Sequence, residues 1–105
     1  MAEPSADPLA VLHRLQTQLR LLTPVLTVAP DTPEVAAMLA GLADTTAAAA
    51  ALLTAVEPDT LAVLRRALDC ARAQQHNETA SELVTAHGRV SVLLRGYGLR
   101  SRAVE

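Results

Sequence analysis

Three histidines, one cysteine and a few acid pairs are the residues of this chain that could do chemistry. His13, His76 and His87 are separated by 63 and 11 positions, and no His-Glu-x-x-His or Cys-x-x-Cys occurs. Local spacing therefore supplies no metal pair, and structural or surface roles are expected for all three. Cys70 is the single cysteine, so no disulfide forms within the chain. Its apolar-flanked position in a helical stretch reads as a small buried hydrophobe, not a reactive thiol. Glu57 and Asp59 flank Pro58 at a helix start, where carboxylates favour the dipole. Glu78 and Glu82 are four apart on one helix face. Carboxylate metal sites in helical bundles need Glu-x-x-His as well, and that motif is missing. The glycines, Gly41, Gly88, Gly96 and Gly98, form no phosphate-cradling loop. No strand-turn-helix context exists to present a nucleophile. The expectation is a protein without catalytic, cofactor or metal residues, and not an enzyme.

Charge argues against nucleic acid. The net charge is −2, and every basic residue is Arg. Residues 1–59 hold seven acids and two bases, while residues 60–105 hold four acids and seven bases. The halves could attract each other within a bundle or between chains. Arg65 and Arg66 are adjacent, so on a helix they point roughly 100° apart. With Tyr97 the only aromatic residue, no stacking platform for bases is available.

The elements carrying these residues are helical. Half the chain is hydrophobic, much of it Ala and Leu, the strongest apolar helix formers. Residues 1–7 read as a mobile lead-in, and Asp7-Pro8 as a helix start. Leu12, Leu15, Leu19, Leu22 and Leu26 follow at alternating spacings of 3 and 4, which make one apolar helix face. Pro24 removes a backbone donor and crowds the preceding turn, so this helix is expected to end or kink near Thr23. Thr32-Pro33-Glu34 restarts a helix with a cap, a proline at its first position and an acid in its first turn. Its seam is Val35, Leu39, Leu42, Thr46, Ala49, Leu53 and Val56. Thr45 to Ala51 are two Thr and five Ala, so a neighbour packs closely there or finds a shallow groove.

Glu57-Pro58-Asp59-Thr60 breaks and restarts the chain again. Leu61, Leu64, Leu68 and Ala71 form the third seam. The polar stretch from Arg72 to Glu82 contains neither Gly nor Pro. It is read as the middle of one long helix from about 59 to 95. The alternative is a split near Asn77, with Thr79 and Glu82 as a capping box. Leu83, His87, Val90, Leu94 and Tyr97 then repeat at 4, 3, 4, 3, one residue out of register with the seam before. Gly96-Tyr97-Gly98 is expected to end the helix, leaving a mobile tail at 99–105. The fold class is all-α: one domain over residues 1–105, an antiparallel bundle of three long, or four shorter, helices. The longest apolar run, Ala47 to Leu53, is far short of a membrane span. With an acidic, proline-bearing N-terminus, it points to the cytoplasm and no membrane.

Leu61 to Tyr97 resembles the C-terminal helix of flagellar export chaperones of the FlgN type. The comparable residues are Ala73-Gln74-Gln75-His76-Asn77, then Leu83, Val84, Val90, Leu93 and Leu94, then Tyr97-Gly98. The resemblance implies a chaperone that holds the amphipathic helices of cargo subunits, with Leu83, Val90, Leu94 and Tyr97 on the contact face. His87 shares that seam and completes the partner-binding candidates. The residues themselves leave two functions open. One is a bundle that accepts a foreign amphipathic helix in a groove. The other is a bundle that pairs with its own copy, as a homodimer or larger oligomer.

Overall fold

The computed structural model describes the backbone of residues 8–104 and the side chains of residues 9–96. Four helices follow one another: α1 (Pro8–Val28), α2 (Pro33–Val56), α3 (Pro58–Arg72) and α4 (His76–Val104). Each packs against its neighbours in sequence, and α4 closes back onto α1. In the diagonal pairs, α1 with α3 and α2 with α4, no Cα atoms of described residues come within 8 Å of each other, and contact across the core is left to side chains. The chain is an all-α bundle in its four-helix form.

The leucine seams make its core. Leu12, Leu15, Leu19 and Leu22 are fully buried, and Leu26 nearly so. They meet Val35, Leu42 and Leu53 of α2, Leu61 and Leu64 of α3, and Leu83 and Val90 of α4. Burying a leucine side chain contributes about 1.5–3 kcal/mol, so these contacts hold the fold. At the start of α2, Thr32 accepts a hydrogen bond from the Val35 N–H at 3.3 Å, with Pro33 and Glu34 in the first turn, as expected. The Asp7 cap lies outside the described residues.

Three expectations about helix ends are corrected. First, of the end or kink expected near Thr23, the end does not occur: α1 runs through Pro24 to Val28. Pro24 sits on the exposed side, while Leu22 and Leu26 on either side of it are held in the core. The Thr23 hydroxyl donates to the Leu19 carbonyl at 2.8 Å, and that of Thr27 to the Thr23 carbonyl at 3.0 Å. Packing of the flanking leucines outweighs the one hydrogen bond that proline removes.

Second, residues 59–95 are two helices, and the break lies at Ala73–Gln75, ahead of Asn77. Gln74 adopts φ 59°, a left-handed conformation that favours glycine. Its N–H donates to the Ala71 carbonyl at 3.0 Å, and the Gln75 N–H donates to the Cys70 carbonyl at 2.9 Å. This is the Schellman arrangement, built without glycine. Nor is there a capping box: the Thr79 hydroxyl donates back to the Gln75 carbonyl at 2.8 Å. The break follows from the slipped register, since folding back lets the α3 and α4 seams face one core. Gln74→Gly should therefore raise stability by about 1 kcal/mol, read as an increased midpoint in urea denaturation. A lowered midpoint would contradict the left-handed turn.

Third, α4 does not end at Gly96-Tyr97-Gly98; its backbone stays helical to Val104. Glycine permits a left-handed cap but does not impose one, and Gly96 keeps a negative φ.

Candidate protein-binding faces

The titratable side chains do not converge. His13 is exposed and His87 half-buried. His76 is half-buried, with Nε2 3.4 Å from the Asp31 carboxylate, a contact that ties the α1–α2 and α3–α4 connections at one end of the bundle. Glu82 pairs with Arg66 at 3.4 Å, and Asp69 with Arg72 at 2.9 Å. Both pairs are solvent-facing and worth little. Cys70 is free and half-buried, where a small buried hydrophobe was expected. Among the described residues, no three His, Cys, Asp or Glu side chains come together to hold a metal ion.

The seam that sequence reasoning singled out on α4 faces inward. Leu83 and Val90 are fully buried and Leu94 is 9 % exposed. They pack with the leucines of α1 and α3. The Tyr97 side chain lies outside those described. In the closed bundle Leu83, Val90 and Leu94 present almost no surface to a partner, and His87 is half-buried.

The surface that is apolar and open lies on α2. By length and composition this helix is long and apolar enough to cross a membrane, yet only 28 % of its most apolar 18-residue window is buried. Val35, Leu42, Thr46, Ala49 and Leu53 turn inward. Ala36, Ala37, Ala40, Ala47, Ala48, Ala51 and Ala55 turn out, interrupted by Asp44. Short side chains leave the ridge of α2 low, so larger neighbours stand above it. A shallow groove against α1 is lined by Gln18, Leu21, Ala37, Met38 and Gly41. Another, against α3, is lined by Leu39, Ala40, Ala43, Leu68, Ala71 and Arg72. The two grooves flank the exposed alanines in the first half of α2.

The run from Thr45 to Ala51, where close packing or a shallow groove was expected, lines neither groove: Thr45, Thr46 and Ala49 are buried and Ala47, Ala48 and Ala51 are exposed. The outward alanines were missed because the apolar content of α2 was assigned to its inward seam.

Outward residues on α4 form a second face. Val84 is 60 % exposed and Val92 59 %. Between them a side chain at Gly88 would meet nothing within 4 Å. Arg89 and Arg95 flank this face and are exposed. No family model, curated protein or solved structure matches the chain.

Proposed function

We propose that this protein is a binding module that takes up a helix of another polypeptide along the outer face of α2. The observation that carries the reading is the open, apolar length of α2 between its two grooves. A helix laid there removes apolar surface from water on both partners without disturbing the bundle. No part of this action requires catalysis, a cofactor or a metal.

The export-chaperone version identifies the helix taken up as the amphipathic end of a cargo subunit. The FlgN-type resemblance puts its contact on Leu83, Val90, Leu94 and Tyr97. Reaching the first three means lifting α4 from α1 and α3, which forfeits the burial holding the core. The α2 face takes a helix at no such cost, and is the preferred seat.

Ala40→Arg with Ala47→Arg tests the seat. Both positions are exposed, so the helical circular dichroism and thermal midpoint should be unchanged. Association with a partner, read by sedimentation or by titration with an amphipathic helical peptide, should be lost. Undiminished association in the double variant would remove α2 as the seat.

A further inference from the structure

We infer that two copies of this chain exchange α4: the turn at Ala73–Gln75 opens, α3 and α4 join as one helix, and α4 packs into the other copy. The exchange goes beyond the α2 seat and does not depend on it, since the outer face of α2 takes no part.

The turn is the strained part of the molecule. Among the described residues, Gln74 is the one with a positive φ, 59°. That region disfavours any residue that carries a Cβ. Nothing in the local sequence asks for the turn. From Arg72 to Glu82 the chain has neither Gly nor Pro, and Ala73, Gln74 and Gln75 are good helix formers. Straightened, they make the hydrogen bonds of a continuous helix, and the left-handed strain is gone. A short hinge under strain is where an element exchanges between copies.

Burial is what folds α4 back. Leu83, Ala86, Val90 and Leu94 are buried against the rest of the core, and α4 packs on α1 and α3. A second copy offers the same slot with the same contacts. The occupant is therefore fixed by the native core, and no further surface is needed. The Arg66–Glu82 pair and the His76–Asp31 contact re-form between copies, because each joins α4 to a part of the chain before the hinge.

Register agrees. The α3 seam of Leu61, Leu64, Leu68 and Ala71 is one residue out of step with the α4 seam of Leu83, His87, Val90 and Leu94. On a straight helix the two seams point about 100° apart. Such a helix presents its seams to two different cores, one in each copy.

Light scattering of the full chain, refolded from urea over a range of concentrations and separated by size, tests the exchange. A dimer should grow in as concentration rises. Spin labels on Ala62→Cys and Arg89→Cys, both at exposed positions, report the hinge in a Cys70→Ser chain diluted with unlabelled protein. In the monomer the labels sit on neighbouring helices, whose axes lie about 10 Å apart. In the dimer they are 27 residues apart on one helix, about 40 Å. Gln74→Gly relieves the turn and weakens the straight helix, so it should raise the concentration needed for the dimer at least about tenfold. Asn77→Pro fits the first turn of α4 but not the interior of a continuous helix, so it should abolish the dimer. A wild type that stays monomeric at every concentration overturns the inference. So does a dimer whose labels stay close, or one that forms unchanged in either hinge variant. A dimer lost on Ala40→Arg with Ala47→Arg would belong to the α2 face, and overturns the exchange as well.

Discussion

Leu19→Asp is expected to unfold the protein. Leu19 is fully buried, in the middle of the α1 seam and among leucines of the common core. The substitution removes about 1.5–3 kcal/mol of burial. It also places a carboxyl group where nothing described pairs with it, which costs several kcal/mol more whether the group stays charged or takes up a proton. A domain of this size has roughly 5–15 kcal/mol of stability in all. The helical circular dichroism should collapse at room temperature, or survive only with a much lower thermal midpoint. Leu21→Asp is the control, two residues away. Leu21 is 54 % exposed, and its replacement should leave the fold within about 0.5 kcal/mol of wild type. Equal effects at the two positions would mean that α1 is not oriented as described.

Proline placed in the first turn and in the interior of α4 should give the second large contrast. Ala86 is fully buried in the interior of the helix. Ala86→Pro removes a backbone hydrogen bond and clashes with the preceding turn, a loss of about 3 kcal/mol or more. Asn77 is exposed and is the second residue of α4. Its N–H belongs to the first turn, where helices have no internal acceptor. Asn77→Pro should therefore cost no more than about 1 kcal/mol in urea denaturation. If residues 59–95 were one continuous helix, both prolines would be severe. A destabilisation at Asn77 matching that at Ala86 would argue against a break at Gln74.

These contrasts separate what local pattern carries from what it does not. Helical class and inward faces were legible because spacing of 3 and 4 is a property of a single helix. Leu12 to Leu26, Val35 to Leu53 and Leu61 to Leu64 show it, and the structure buries them apart from Leu39, which is half-buried, while Val56 at the end of the expected α2 seam is exposed. The start of α2 was legible for the same reason: Thr32, Pro33 and Glu34 act within one turn. The turn at Gln74 was not, because a left-handed residue other than glycine is disfavoured locally and persists only when folding α4 back onto α3 offsets its strain. Pro24 and the Gly96-Tyr97-Gly98 segment misled in the opposite direction. Each signals an end by local chemistry, yet the backbone remains helical through both.

The binding faces divide in the same way. An apolar stripe shows that a helix has something to bury, but not which neighbour will bury it. The sequence by itself determined that this protein is a set of amphipathic helices with a leucine core and oppositely charged halves. Only the tertiary structure decided that Leu83, Val90 and Leu94 are consumed inside the bundle while the alanine side of α2 stays open. The physical reason is that burial belongs to the arrangement of four helices, and no single helix encodes which of its faces the others will cover.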